Sequence, residues 1–270
     1  MTFSTTFVLL QQEAYLTRGI LAEGLTALRT AAFPDKATFY SGFFNTAVAF
    51  ERVMKLVVVA DHMLQHSSAV PTKTDLKAYG HDLVSLYKSS IAAASRVGVG
   101  NLGFPPSGSI EAGILSFLSE FARTTRYYNL DALSSPSVQS DPLASWEAIL
   151  NDVLVQDVPQ RKMQAQLDLA KQMHDLMAGS IRAIQHGMDG KQLSLLEVFN
   201  LPVKHQLAVP YTMVRVFRLL TPLLTIIGEQ GRQLFYCQPR SSNPQAPLFH
   251  EFFVHFGGSD AEIRRKKRWP

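Results

Sequence analysis

The chain has 270 residues, of which 46% are hydrophobic and 18% are charged, a composition typical of a globular protein that buries a sizeable core. The formal net charge is +4, but five of the 26 Lys and Arg residues lie in the last seven positions. Without them the body of the chain carries 21 cations against 22 acids. The net charge therefore does not imply a basic nucleic-acid-binding surface over the whole fold.

Cysteine use and hydropathy predict a cytoplasmic protein with no membrane association. The single Cys237 excludes an internal disulfide and a cysteine-built zinc site, which fits a reducing compartment. The apolar run Phe7 to Leu10 is too short for a secretory signal. The most apolar later segment, Leu207 to Gly228, contains Arg215 and Arg218, so it is not predicted to span a membrane.

Two long helices are predicted first, over about Thr6 to Ala31 and Phe39 to His66, with Asp35 as the N-cap of the second. The second helix is apolar on nearly its whole circumference. We expect the rest of the chain to pack around it. Its apolar positions are Phe43, Phe44, Ala47, Val48, Phe50, Met54, Val57, Val58 and Val59.

Three charged residues, Glu51, Arg52 and Lys55, interrupt this apolar surface. Buried charges are costly unless they are paired. Glu51 precedes Lys55 by four residues, which favours a helical ion pair. The cluster is therefore either a self-satisfied set of charges or one wall of a polar site inside a helical bundle.

A third helix is predicted from Asp75 to about Val97, with Thr72 and Asp75 forming a capping box. Gly80 lies inside this pattern and suggests close packing of a neighbouring helix. His81 and Asp82 would then share a polar pocket, or His81 is a hydrogen-bonded packing residue.

Two motifs match known binding motifs in residue type and spacing, but their sequence context does not support a binding site. Gly98, Gly100 and Gly103 match G-x-G-x-x-G, but a helix precedes them and prolines follow, whereas a dinucleotide site needs a preceding strand. His62 and His66 lie four apart on one helical face, but no third ligand is evident. The sequence predicts neither a metal nor a cofactor.

A fourth helix is predicted from Ile110 to about Tyr128 and leads into the segment ARTTRYYNLD. Two arginines one helical turn apart, Arg123 and Arg126, stand beside Tyr127 and Tyr128. Such a set grips phosphate and stacks on bases. Arginines at a helix end equally cap carbonyls and pair with acids such as Asp131.

The second half of the chain is also predicted to be helical. The Ser- and Pro-rich stretch 133–142 is the best internal boundary, and helices follow from Asp141 and over Pro159 to His186. A short helix capped by Ser194 and Glu197 should stop at Pro202, before a long helix from Tyr211 to Gln233. The segment LFHEFFVHF alternates like a short strand or extended arm, and a basic tail ends the chain.

The order of AVAFERVMKLVVV, YGHDLVSL and FARTTRYYNLD resembles the HEPN (higher eukaryotes and prokaryotes nucleotide-binding) family over roughly Phe7 to Leu133. This resemblance implies a mainly α, up-and-down helical bundle that is often dimeric. Family members are common in toxin–antitoxin and phage-defence systems. Many are metal-independent ribonucleases in which an arginine is followed five to seven residues later by a histidine, with two copies meeting across the dimer.

This sequence departs from the family at that motif, because its nearest match pairs Arg123 with Asn129. Asparagine holds a phosphate or a water but does not exchange a proton near neutral pH. We therefore predict RNA or nucleotide binding and leave catalysis open. The candidate catalytic residues are Arg123, Asn129 and His81. The candidate phosphate-binding residues are Arg126, Tyr127, Tyr128, Glu51, Arg52, Lys55 and Asp82.

The predicted architecture is a HEPN-like bundle over residues 1–133 with a helical extension, residues 134–270, packed on it, or one continuous domain. We expect a homodimer, with the C-terminal arm available to a protein partner. The alternative function is a structural or protein-interaction scaffold whose charges serve the bundle. An open pocket joining Glu51, His81 and Arg126 would favour ligand binding, and a closed ion-pair network would favour the scaffold.

Overall fold

The computed structural model describes residues 3–100, 102–135, 140–180, 184–236 and 243–270. Over these ranges the chain forms eleven α-helices and no strand, apart from an isolated antiparallel bridge between His186 and Gln192. The prediction of a mainly α helical bundle is therefore confirmed. The helices are α1 (Thr5–Thr30), α2 (Lys36–Gln65), α3 (Lys73–Ala78), α4 (Leu83–Ala92), α5 (Ile110–Arg123), α6 (Tyr128–Ser134), α7 (Pro142–Gln156), α8 (Gln160–Met177), α9 (Leu195–Tyr236), α10 (His250–Phe253) and α11 (Asp260–Arg265).

Helix α2 lies at the centre of the bundle, as its apolar pattern predicts. Asp35 caps it by accepting a hydrogen bond from the Thr38 backbone N–H, and Phe43, Phe50 and Met54 are completely buried. It packs against α1, α4, α5 and α9. Phe44 is an exception, because its side chain is 49% exposed. The apolar surface of α2 is therefore not buried at this position.

Helices α1 and α2 run antiparallel at close range because glycines occupy their contact points. A Cβ atom on Gly24 would lie 2.6 Å from the Thr46 backbone nitrogen, and one on Gly42 would lie 2.8 Å from the Leu28 side chain. Side chains at these positions would push the helices apart. The close contact fixes the face that α2 turns toward the rest of the bundle.

Helix α9 differs from its prediction, because it continues through three prolines. Ser194 and Glu197 form the expected hydrogen-bonded cap, but the helix does not stop at Pro202 and runs on to Tyr236. An internal proline costs a helix about 3 kcal/mol. The apolar residues that α9 buries against α2, α7 and α8 outweigh this cost.

Among the described residues, α9 alone is long and apolar enough to cross a membrane by length and composition. However, 61% of its most apolar 18-residue window is buried in the protein. Packing inside the bundle thus accounts for the apolar sequence of α9.

The C-terminal segment is packed on the bundle and is not a strand or an extended arm. The alternating stretch Leu248 to Phe256 contains the short helix α10, whose Phe252 and Phe253 are buried. Alternation over so few residues also fits a helical turn with its aromatic residues inward, which explains the error.

The basic tail is also packed on the bundle. Trp269 is 6% exposed, stacks on Phe217 with ring centroids 5.6 Å apart, and donates its backbone N–H to Thr26 Oγ1 at 3.1 Å. Arg29 donates to the Arg264 carbonyl oxygen at 3.2 Å. The tail therefore ties α1 to α9, while Lys267 keeps its side chain exposed.

The buried residues of the two predicted parts of the chain form one hydrophobic cluster that extends from Leu10 to Trp269. Helix α9, from the second part, packs against α1, α2, α4 and α5 of the first. The division at residue 133 stays a prediction, since the centre of its Ser- and Pro-rich stretch, 136–139, lies outside the described residues. Cys237 lies outside them as well.

Candidate nucleotide-binding pocket

The Y-G-H-D-L segment forms a turn that separates α3 from α4. Gly80 has a φ of +53°, in the left-handed region that favours glycine. Nothing lies within 4 Å of the position that a Cβ atom would occupy. The interpretation that Gly80 allows close helix packing was therefore wrong. The glycine is needed for the backbone turn, and this turn ends the predicted third helix at Ala78.

The two residues that end this segment anchor α4. Asp82 is its N-cap and accepts hydrogen bonds from the Ser85 backbone N–H at 3.0 Å and from the Ser85 hydroxyl at 2.9 Å. Leu83 is fully buried, and its backbone N–H donates to Ser119 Oγ of α5 at 3.0 Å. These contacts fix the start of α4 against α5 and thereby hold His81 in place.

His81 is directed at the charged cluster of α2. Its Nδ1 lies 2.9 Å from Glu51 Oε2, and the other oxygen of Glu51 accepts a hydrogen bond from Lys55 Nζ at 2.6 Å. The Glu51 side chain is only 15% exposed. Burial alone would raise the pKa of this carboxyl group, but the hydrogen bonds from Lys55 and His81 outweigh burial and lower it. Glu51 is thus held as a carboxylate that orients the imidazole.

Arg52 turns the other way and pairs with Glu13 of α1, with Nη1 and Oε1 2.7 Å apart. Both side chains are 36% exposed. The polar groups that interrupt the α2 apolar surface are therefore all paired, as the self-satisfied interpretation expects.

The two arginines near the end of α5 differ in their partners. The Arg123 guanidinium lies 3.9 Å from the Asp82 carboxylate, at the outer limit of an ion pair. Arg126 has no carboxylate partner among the described residues, and its guanidinium lies 5.2 Å from the centre of the Tyr127 ring. Tyr127 is 58% exposed, and Asn129 is exposed on α6.

A cavity of about 190 Å³ lies between α2 and the end of α5. It brings together four of the predicted site residues from three separate parts of the chain. These four are Glu51, Arg52, His81 and Arg126. Its lining does not include the other six, which are Lys55, Asp82, Arg123, Tyr127, Tyr128 and Asn129.

The apolar wall of this cavity was missed by sequence reasoning. It consists of Phe44, Ala47 and Val48 of α2 with Phe121 and Ala122 of α5. Phe44 was assigned to the core because it fits the apolar periodicity. Its proximity in sequence to Glu51 and Arg52 was the available signal, since an aromatic residue one or two turns from a charged cluster borders the same surface.

His62 and His66 stack on each other, with ring centroids 4.0 Å apart, and His66 Nδ1 lies 2.9 Å from the His62 carbonyl oxygen. The histidines thus contact each other and their own helix end. Within the part of the chain that the structure describes, no three His, Cys, Asp or Glu residues are grouped to hold a metal ion.

Comparison of the chain with protein-family models, with curated proteins and with solved structures gave no match in any of the three. The resemblance to the HEPN family therefore depends on the motifs of this sequence alone and stays a prediction.

Proposed function

We propose that the cavity between α2 and α5 binds a phosphate-bearing ligand, RNA or a nucleotide, with Arg126 as its main phosphate contact. The observation that carries the proposal is the cavity itself, which joins Glu51, His81 and Arg126 beside an aromatic wall. Such a combination of an apolar wall and a few convergent polar groups is typical of ligand sites.

The distribution of charge around the cavity favours an anionic ligand. Glu51 forms an ion pair with Lys55 and a hydrogen bond with His81, and Arg52 forms an ion pair with Glu13. Arg126 has no such partner, and Arg123 is paired only at 3.9 Å. The unneutralised charge at the rim is therefore positive, and guanidinium groups bind phosphate through paired hydrogen bonds.

The size and lining of the cavity favour one unstacked nucleotide over a duplex. Phe44, which is 49% exposed, offers aromatic surface for stacking of a base, which is how single-stranded RNA is held. A volume of about 190 Å³ has room for part of one nucleotide only. We therefore expect binding to single-stranded RNA or a mononucleotide.

Cleavage of RNA at this site would use His81, because Glu51 engages Nδ1 and leaves Nε2 for proton transfer. Arg126, which lines the cavity, would stabilise the charge of the transition state. Arg123 and Asn129 lie outside the lining of the cavity, so neither is assigned a role in this step. The proposal includes the wider expectation from the sequence, a cytoplasmic homodimer within a bacterial defence or toxin–antitoxin system.

A structural scaffold is the second candidate, and a specific observation favours it. The Glu51 carboxylate is fully engaged by Lys55 and His81, as in a network that serves only the bundle. A scaffold, however, gives no reason for Arg126 to lack a carboxylate partner at the mouth of a cavity.

Replacement of Arg123 and Arg126 by alanine tests the proposal. We expect the affinity for a labelled single-stranded RNA, measured by fluorescence anisotropy, to fall about tenfold or more, and the slope of log K against log salt to decrease by about 1–2. The melting temperature should stay nearly unchanged because both side chains are exposed.

The matched control is the replacement of Arg161 and Lys162, two exposed cations on α8 that lie away from the cavity, by alanine. This variant should retain the affinity of the parent protein. Equal affinity of the Arg123/Arg126 variant and the parent protein would refute the assignment and leave the scaffold.

A further inference from the structure

A second cavity of about 190 Å³ is lined by residues between positions 147 and 204. It lies where the first turns of α9 meet α7 and the turn around the His186–Gln192 bridge. It has no lining residue in common with the cavity described above. Leu193 and Leu201 form its apolar side, and its polar side carries charges of both signs.

Two of the carboxylates at this cavity are already engaged by neighbours in sequence. Asp189 pairs with Lys191 Nζ at 3.0 Å and accepts the Lys191 backbone N–H. Glu197 Oε2 accepts hydrogen bonds from the Ser194 N–H and hydroxyl, both at 2.7 Å, and so caps α9. Their local roles are to form the turn and to start the helix.

Lys36 of α2 holds the turn in place, because its Nζ donates a hydrogen bond to the Gly187 carbonyl oxygen at 2.8 Å. The ammonium group of Lys36 is therefore also engaged. These contacts fix the wall of the cavity and engage Asp189, Glu197 and Lys36. Other charged groups at the cavity are engaged by no residue that the structure describes.

Three polar groups at the cavity have no partner among the described residues. Glu147 and Lys204 are both half-buried, and neither forms a hydrogen bond or an ion pair. The side-chain oxygen of Asn200 is shielded from solvent and accepts no hydrogen bond. Shielded polar groups are normally satisfied, and those that are not point to a missing ligand or water.

Glu147 and Lys204 influence each other without touching. Burial and the charge of Asp189 raise the pKa of the Glu147 carboxyl group, and the charges of Lys204 and Lys36 only partly oppose this. Both residues line the same cavity, and no ion pair joins them. A ligand that carries both charges would satisfy both groups at once.

We propose that this cavity binds a small zwitterion of the α-amino acid class, with its ammonium group on Glu147 and the Asn200 oxygen and its carboxylate on Lys204. One unpaired anion, one unpaired cation and one neutral acceptor match the charged groups of such a ligand. A polyamine would be repelled by Lys204, and inorganic phosphate would be repelled by Glu147. Leu193 and Leu201 favour a small apolar side chain on the ligand.

The test uses the full chain and a panel of the twenty L-amino acids, with putrescine, inorganic phosphate and the methyl ester of any binder for comparison. At about 10 mM ligand, at least one amino acid with a small apolar side chain should raise the melting temperature, whereas putrescine, phosphate and the ester should not. Calorimetric titration of the binder should then show that Glu147→Gln and Lys204→Met each weaken affinity about tenfold or more.

Glu120→Gln and Lys171→Met are the matched controls, because both residues are exposed and lie outside this cavity. They should leave the affinity unchanged. The proposal is overturned if no amino acid in the panel binds, if putrescine binds and the amino acids do not, or if binding survives both Glu147→Gln and Lys204→Met. RNA binding at the first cavity is unaffected by any of these outcomes.

Discussion

Arg215 forms ion pairs with two carboxylates from different parts of the bundle. Its guanidinium donates to both oxygens of Asp157, at 2.8 and 2.6 Å, and to Glu111 at 2.8 Å, and none of the three side chains is more than 19% exposed. These contacts raise the pKa of Arg215 and join α5, the end of α7 and α9. A buried ion pair is costly to break because removal of one partner leaves the other charge unpaired.

We therefore expect Arg215→Met to lower the free energy of unfolding by about 3–5 kcal/mol, since Asp157 and Glu111 would stay shielded without a counter-ion. The measurement is urea denaturation followed by circular dichroism. Arg218→Met is the control, because Arg218 is 49% exposed and its contacts with Glu111 and Asp260 are 3.4 and 3.3 Å long. It should cost less than about 1 kcal/mol. Equal losses in the two variants would contradict this role of Arg215.

Sequence reasoning found the charge contacts that are local and missed those that are distant. The Glu51–Lys55 pair follows from a spacing of four residues, and the Asp35 and Thr72 caps follow from residue type. The Arg215 contacts reach residues 58 and 104 positions away. No periodicity encodes such distances, so only tertiary packing reveals them.

At the scale of elements, the sequence predicted where helices lie better than where they end. The bounds of α1 and α2 and the start of α7 are close to the predicted ones because caps and apolar periods agree there. Gly80 and Pro202 misled in opposite directions, since one ended a helix that was predicted to continue and the other lies in a helix that was predicted to stop. At Gly80 a backbone turn ends the helix, and at Pro202 tertiary packing keeps the helix intact. Local helix propensity alone determines neither outcome.

The C-terminal segment, which the sequence pattern predicts to be an extended arm with a basic tail, is a strap that packs on the bundle. Trp269→Ala should lower the free energy of unfolding by about 3 kcal/mol, because it removes the contact with Phe217 from a nearly closed site. Thermal and urea unfolding measure this change. Arg268→Ala, at the exposed neighbouring position, should cost less than about 0.5 kcal/mol. An unaltered stability of the Trp269→Ala variant would show that the strap does not hold α1 to α9.

The run of five cations in this tail attracts polyanions such as RNA, and the burial of Trp269 decides how that contribution can be measured. Removal of Arg264 to Pro270 would take Trp269 out of the core, so any loss of RNA affinity would include a loss of stability. Neutralising the exposed Lys267 and Arg268 keeps Trp269 in place and isolates the contribution of charge.

At the scale of the whole molecule, the two cavities described above lie on one continuous core and share no lining residue. The first joins residues that the sequence had singled out, because Glu51, His81 and Arg126 come from segments with conspicuous charge. The second was not anticipated, since Glu147, Asn200 and Lys204 carry no motif and meet only when α7 and α9 pack. Sites that combine ordinary residues from distant elements are thus beyond the reach of pattern reasoning.

The whole fold should lose stability on mild acidification because of one buried histidine. His205 is 2% exposed, its ring faces the rings of Phe33 and Phe39, and neither ring nitrogen has a hydrogen-bond partner among the described residues. Burial, with a smaller effect of Lys204, lowers its pKa from 6.5 to about 4. Between these values the unfolded chain binds a proton that the folded protein does not, so stability falls as the pH decreases.

From pH 7.5 to pH 5 this residue alone should reduce the free energy of unfolding by about 2 kcal/mol, and below its folded pKa the effect should level off. Urea denaturation at a series of pH values measures the slope. His205→Leu, of similar volume and without a titrating group, should flatten the curve over this interval, whereas His255→Gln at an exposed position should leave it as in the parent protein. A slope that persists in the His205→Leu variant would assign the acid sensitivity to other groups and refute the role of His205.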